Sequence, residues 1–338
     1  MEYKSLNELG SLDDLIRTPN RPLGQLSNFV VEDLPGLVAN KDLQRISSAS
    51  EGLAHELDEM PNDRTAHLDL MFLATAIETL GGKTGVVLES TIGKNFGATA
   101  APMNLSYEDL IVGMPHDTDP RTFLPGETGE AERYFYRVHR SIENRMAQII
   151  QALETGLFEP EQMRDLLEEQ AVPGMKDVNA QMEAMRDDLN GYQFNKFRPF
   201  FRRRKGIPGA SGKYSGGSLV IDTLVAGNDP QLLPKLEAKR DEIIAYPTSS
   251  VETDDVAGTA DIIRSLALSK IGKTLIEMDQ AGIEDGRIAL IKEISRFRNQ
   301  HYRLVGKFLK DIMRGTAGEF ITPFLRGFSL PFQKLKKQ

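Results

Sequence analysis

Apolar residues recur every three or four positions along two long stretches of this chain, and that spacing commits most of it to helix. Between residues 130 and 155, Phe135, Val138, Ile142, Met146, Ile149 and Leu153 share one face of a 3.6-residue repeat. Between 284 and 313 the same holds for Ile291, Ile294, Phe297, Leu304, Phe308 and Ile312. A stripe of this kind is stable only when buried against another element. Strand signals are sparse, because β-branched residues seldom alternate with polar ones over four or more positions. Further helices are expected at 67–80, 159–169, 177–201 as far as Pro199, 219–226, 230–244 and 257–279. Residues 1–60 are broken by Pro22, Pro35 and Pro61 and predict short helices and loops. The Gly- and Pro-rich segment 81–130 predicts loop with one short element near Val87 and Leu88, and 202–218 predicts a second glycine-rich loop. The expected fold class is therefore mainly α. Two regions are expected, an N-terminal helical and loop region over 1–125 and a helical domain over 126–338.

Composition narrows the chemistry. A chain of 338 residues can bury a sizeable core. Its formal net charge of −8 disfavours nucleic acid as the main partner. It has no cysteine, which excludes disulfides, a thiolate nucleophile, zinc–thiolate and iron–sulfur sites, and a thioether-linked haem. No apolar run approaches the roughly 20 residues that a membrane helix needs. The first ten residues, MEYKSLNELG, lack the apolar run of a secretory signal, so a cytoplasmic protein without membrane partners is expected.

Four features stand out as candidate sites. His301 fills the one gap in the second stripe, between Phe297 and Leu304. A histidine there is either a hydrogen-bonded structural residue or an imidazole offered to a cofactor such as haem. His139 lies on the first stripe, one turn from Phe135. Of the other three histidines, His55 and His116 sit in polar or loop contexts, and His67 opens an apolar helix in a capping or packing position. The third feature is QFNKFRPFFRRR, in which Arg198 stands among Phe194, Phe197 and Phe201. Such an arginine stacks on rings, binds a carboxylate through two parallel hydrogen bonds, or covers apolar neighbours with its stem. The basic run that follows, Arg202 to Lys205, is either solvated surface or a partner for anionic groups. The fourth is a pair of glycine-rich segments, GASGKYSGGS at 209–218 and GTAG at 315–318. Neither is a phosphate-binding P-loop: Tyr214 follows Gly212–Lys213, and at Gly82–Lys83 and Gly272–Lys273 the first glycine of the motif is missing.

Taken together, these segments resemble the indoleamine and tryptophan 2,3-dioxygenase superfamily. ISRFRNQHYRLVGKFL (294–309) is similar to that family's proximal-histidine helix, and GTAGEFITPFLR (315–326) to its C-terminal glycine-rich signature, with Ala317 and Glu319 as departures. LNGYQFNKFRPFF and YSGGS are similar to the family's carboxylate-binding and haem-pocket segments, in the same order. The likeness covers roughly residues 130–326. The shortened LVIDTLVAG after GGS resembles a divergent branch containing the pyrrolnitrin-pathway enzyme that rearranges chlorotryptophan and the oxindole-forming tryptophan oxygenases.

The resemblance implies a helical bundle enclosing haem b, with the N-terminal region packing on the distal side. It implies a haem-dependent oxidoreductase, a dioxygenase or monooxygenase of tryptophan or a related aromatic amino acid. His301 matches the iron ligand, and Phe297, Arg298, Val305, Gly217 and Ser218 match the cofactor's surroundings. Arg198 matches the arginine that pairs with the substrate carboxylate, Phe135 the distal aromatic, and Thr316 and Gly318 the lid over substrate. His139 falls at a distal position, where it would accept an indole N–H or donate to bound oxygen. The partners implied are an aromatic amino acid and O2, joined by an external reductant if one oxygen atom is inserted; a homodimer is left open. Two rival classes remain: a haem protein that is a sensor or carrier, and a helical protein with no cofactor.

Overall fold

A computed structural model of the chain describes residues 21–53, 64–85, 110–111, 121–158, 162–201, 215–226, 234–238 and 283–308. The described residues are mainly helical, and no strand occurs among them. The helices are α1 (Gly24–Asn28), α2 (Leu34–Ala39), α3 (Leu43–Gly52), α4 (Arg64–Thr79), α5 (Gly126–Phe158), α6 (Met163–Leu166), α7 (Val172–Asp188), α8 (Gly191–Phe197), α9 (Gly216–Ala226) and α10 (Glu284–Phe308). Single π-helical turns, Phe29–Asp33 and Leu167–Ala171, join α1 to α2 and α6 to α7. Residues 234–238 form one more helical turn between α9 and α10. None of the described helices is long and apolar enough to cross a membrane.

Helix α5 has 33 residues, so it runs for about 50 Å at 1.5 Å per residue. Gly126 starts it with φ +60, a conformation that residues with a Cβ rarely adopt. Helix α7 lies between α5 and α10 and packs on both. Its inner face is Val172, Gly174, Met175, Val178, Asn179, Met182 and Met185, all buried. Gly174 allows the close approach to α5, since a Cβ there would stand 2.7 Å from Cγ1 of Ile149. Polar ties run along the α7–α10 seam. The Asn179 amide donates to the Glu293 carbonyl oxygen at 3.0 Å, and Arg296 and Gln300 both donate to Glu183, at 3.0 and 2.5 Å. Helices α8 and α9 also pack on α5, so α5, α7, α9 and α10 surround one central region.

The stripe on α10 is buried as its spacing predicts: Ile291, Ile294, Phe297, Leu304 and Phe308 are all in the core, and Ile312 lies outside the described residues. On α5 the C-terminal part of the stripe, Ile142, Met146, Ile149 and Leu153, is buried, but Phe135 and Val138 are only half-buried. Glu132 and Tyr136 take the inner positions in that part of the helix. The reason is local. Both oxygens of the Glu132 carboxylate accept from the Phe123 N–H at 3.0 Å, and Tyr136 donates its hydroxyl to Glu132 at 2.5 Å. Burial pushes the Glu132 carboxyl up to about 8, opposed by these hydrogen bonds.

Three of the expected boundaries move. The single helix expected over 177–201 is two helices and a 3-10 turn. Leu189 and Asn190 are extended, with ψ 123 and 120, and the Asn190 side chain accepts from the Tyr192 N–H at 2.8 Å to start α8 anew. The helix expected at 159–169 is the short α6, which passes through its π turn into α7. The glycine-rich loop expected over 202–218 is already helical from Gly216. The elements expected near Val87 and at 257–279 lie outside the described residues.

The core is continuous across residue 125. Phe123 stacks between Phe72 of α4 and Phe200 of the 3-10 turn Arg198–Phe201, with both ring centroids 4.3 Å away. Beside this stack, fully buried Arg121 holds fully buried Asp69 through Nε at 2.6 Å and a terminal nitrogen at 3.1 Å. Ser27 of α1 donates to the same carboxylate at 2.5 Å. The described part of the N-terminal region is thereby locked to the segment that leads into α5.

Candidate functional site

A cleft opens where the midpoints of α5 and α10 face each other. It is lined by His139, Ile142, Glu143 and Met146 of α5, Met182 of α7, Ser215 and Ser218 at the start of α9, and Phe297, Arg298 and His301 of α10. The cleft is narrow, with a cavity volume of about 30 Å3. The two histidines singled out by their place on apolar stripes therefore meet at one site, though they stand 162 positions apart in the chain.

Each wall has a local cause. His139 and Glu143 are four residues apart on α5, so they share a face, and Met146 continues it. The Nδ1–H of His139 donates to the Phe135 carbonyl oxygen at 2.9 Å. Because a carbonyl oxygen only accepts, the proton of the neutral ring is on Nδ1 and the lone pair is on Nε2. The Phe135 ring lies 4.0 Å from the imidazole, centroid to centroid, and fixes its tilt. His139 is half-buried at its surface yet deep among protein atoms. That burial pushes its pKa down to about 4, against the bond to Phe135, so the ring is neutral near pH 7.

The opposite wall is set by α9. The Ser215 hydroxyl accepts from the Ser218 N–H at 3.1 Å, which is the hydrogen bond of a helix N-cap. This turn brings Ser218 and buried Asp222 to α10, where Arg298 forms an ion pair with Asp222 and reaches the Ser218 hydroxyl at 3.4 Å. His301 is half-buried, and its ring lies 6.3 Å from that of Phe297 at an interplanar angle of 22°. Apolar side chains and thioethers (Ile142, Met146, Met182, Phe297) fill the space between the polar groups.

The structure brings together His139, Ser218, Phe297, Arg298 and His301 of the expected site residues. It places others elsewhere. Arg198 is only 3% exposed, in the 3-10 turn after α8, and is absent from the cleft lining. Phe135 stands behind His139 rather than in the cleft. Val305 is half-buried one turn beyond His301 and outside the lining. Gly217 packs against α5: a Cβ there would stand 2.9 Å from Oε2 of Glu143 and 3.0 Å from Cβ of Met146. Glu143 and Met146 both line the cleft, so Gly217 stands just behind its wall. Thr316, Gly318 and the basic run 202–205 lie outside the described residues.

Sequence reasoning missed Ile142, Glu143, Met146, Met182, Ser215 and Asp222. Glu143 and Met146 carried a signal, since both fall on the His139 face at helical spacing. Ser215, just before a helix, carried the signal of a cap. Met182 and Asp222 carried none, because only packing of separate helices brings them here.

His139 and His301, whose imidazoles are of the kind that hold haem iron, both line the cleft, but its open volume of about 30 Å3 is far below the roughly 300–1,000 Å3 of ligand pockets, so the cleft in this structure does not fit the group. Among the described residues no three His, Asp or Glu side chains are grouped to hold a bare metal ion. No protein-family model matches the chain, and no curated protein matches it.

Proposed function

We propose that this protein is a cytoplasmic haem-dependent oxygenase acting on tryptophan or a related aromatic amino acid, with His301 as the iron ligand. The observation that carries the reading is the convergence of His301 and His139 on one apolar-walled cleft from the middles of two long helices. Rigid helices on three sides are the kind of support that holds a cofactor in one orientation.

Haem would supply the oxygen chemistry, and the chain's own residues would direct it. His301 would hold the iron from α10. Arg298 lines the cleft and is held by its ion pair with Asp222 and by Ser218; a guanidinium there could also donate to an anionic group of the cofactor. With its lone pair on Nε2, His139 is an acceptor toward a substrate N–H rather than a donor. The substrate carboxylate is assigned to Arg198 by the resemblance alone, and its place outside the cleft lining gives that assignment no support. Whether one oxygen atom or two are inserted is the chemistry that product analysis decides.

The absence of Arg198 from the cleft lining favours a second reading, a haem sensor or carrier that binds no amino acid. One experiment separates the two. The purified protein is reconstituted with haem and titrated with a panel of aromatic amino acids, and the products formed with reductant and O2 are analysed by mass spectrometry. A Soret band that shifts with an amino acid, and a product heavier by one or two oxygen atoms, is the expected result. A Soret band that no amino acid moves supports the sensor or carrier. Absence of any Soret band after reconstitution overturns both.

A further inference from the structure

We propose that Glu132 is a proton-operated latch: while neutral it holds the segment that enters α5 closed against the helix, and on losing its proton it lets that segment swing away. The proposal is independent of the haem reading, because it draws on no residue of the cleft.

The latch is built from the backbone outward. Residues 121–125 run directly into α5, and Glu132 lies in the second turn of that helix, nine positions past Phe123. Its carboxyl group reaches back and accepts from the Phe123 N–H at 3.0 Å to each oxygen, while the Tyr136 hydroxyl donates to it at 2.5 Å from the next turn. The reversal between them is tight. Gly126 has φ +60, and a Cβ at Gly129 would stand 2.3 Å from the Leu124 carbonyl oxygen. The residue held by this clasp is also a packing centre, since the Phe123 ring stacks between Phe72 of α4 and Phe200 of the 3-10 turn. One carboxyl group therefore anchors the residue that joins α4 to the turn after α8.

The charge state of that carboxyl decides whether the clasp holds. Glu132 is fully buried and makes no ion pair among the described residues. The other charged and titratable groups on the elements that meet here are engaged differently. Arg133, next on the helix, donates to Glu130 at 2.5 Å, Arg121 of the entering segment is held by Asp69 of α4, and Tyr136 offers a hydroxyl and no cation. Arg198, which opens the 3-10 turn, is not paired with Glu132. Burial thus favours the neutral acid and pushes its pKa up to about 8, against the hydrogen bonds from Tyr136 and from the Phe123 and Leu124 N–H groups and against the charge of Arg133. Once the segment opens, Glu132 meets water and returns to the ordinary value of 4.5, so the closed form carries one extra proton between those values. The equilibrium constant for opening then rises up to about tenfold per pH unit as far as about pH 8 and levels off above it. The opening is local: it undoes the clasp and the Phe123 stack and leaves α7 packed on α5 and α10.

Amide hydrogen exchange of the full chain, corrected for the intrinsic effect of pH on exchange, tests this between about pH 6 and pH 9. The Phe123 and Leu124 amides should exchange ahead of those of α7, and their protection should fall by up to about tenfold per pH unit as far as about pH 8. Infrared difference spectra should show the carbonyl band of a protonated carboxylic acid that is lost as pH passes about 8. Glu132→Gln, which stays neutral and still accepts from the Phe123 N–H, should remove both the band and the pH dependence. Protection at Phe123 and Leu124 that does not change with pH overturns the proposal. Exchange of these amides only together with those of α7 also overturns it, leaving Glu132 a contributor to global stability alone. Both readings are made on the wild type, so they hold even if the glutamine variant misfolds. A pH dependence that persists in a folded Glu132→Gln protein assigns the latch to another group and overturns the proposal as well.

Discussion

Arg121 clasps Asp69 through two hydrogen bonds, at 2.6 and 3.1 Å, with both side chains fully buried. The pair joins α4 to the segment that enters α5, and Ser27 adds a third contact to the same carboxylate. Removing one partner leaves a charge in the interior, whereas removing both does not. Asp69→Ala should destabilise the protein by about 3–5 kcal/mol. Asp69→Leu combined with Arg121→Met should recover much of that loss. Urea unfolding of the two proteins checks this; a single variant no worse than the double one would show that the pair is dispensable.

Glu132 gives the protein a pH dependence of unusual sign for a carboxylate. Its pKa is pushed up to about 8 in the folded chain, against the ordinary glutamate value of 4.5. Between those values the unfolded chain has lost the proton and the folded chain has kept it. The contribution of Glu132 is therefore fully present below about pH 4.5 and is lost as pH rises to about 8, with a slope of up to ~1.4 kcal/mol per pH unit. Glu132→Gln, which stays neutral and still accepts from the Phe123 N–H, should flatten this part of the stability curve. Denaturation midpoints across that range test it.

His139 acts in the opposite direction in the haem-free protein. Its pKa falls to about 4 from 6.5, so the unfolded chain binds a proton in a range where the folded chain does not. Its stabilising contribution is complete above about pH 6.5 and is lost as pH falls to about 4. In nitrogen-15 spectra the ring should show the Nδ1–H tautomer, unchanged between about pH 8 and pH 5.5. A midpoint near 6.5 would refute the burial argument.

Gly174 sits where α7 crosses α5. Gly174→Ala sets a methyl 2.7 Å from Cγ1 and 2.9 Å from Cδ1 of Ile149. Helix propensity favours alanine, but the overpacking should dominate and cost about 1–3 kcal/mol. Ile149→Val in the same chain should relieve part of it. Thermal unfolding of the single and double variants measures the coupling.

Much of the helical pattern was legible from the spacing of apolar residues. The α10 stripe is buried as expected because its spacing and its packing against α7 agree. The boundary near 189 was hidden. Asn190 reads as one more polar residue in a helical run, and its role as a cap appears only where the chain turns extended before it. Glu132 and Tyr136 displaced Phe135 from the inner face because their partner, the Phe123 N–H, comes from a preceding segment that periodicity does not place. Arg198 looked like a ligand-binding arginine among aromatics, and its neighbours are indeed an aromatic cluster, but the 3-10 turn that begins with it lies away from the cleft lining.

By itself the sequence determined that α5 and α10 would form and that each would carry a histidine near its buried face. Periodicity is a local property, set by 3.6 residues per turn, and it survives without knowledge of any partner. Only the tertiary structure decided that the two histidines line one cleft, together with Met182 and Arg298, which pairs with Asp222. That depends on the crossing of α5, α7, α9 and α10, on close approaches such as those at Gly174 and Gly217, and on a cap at Ser215. These are long-range packing choices, made among side chains far apart in the chain, and local spacing does not encode them.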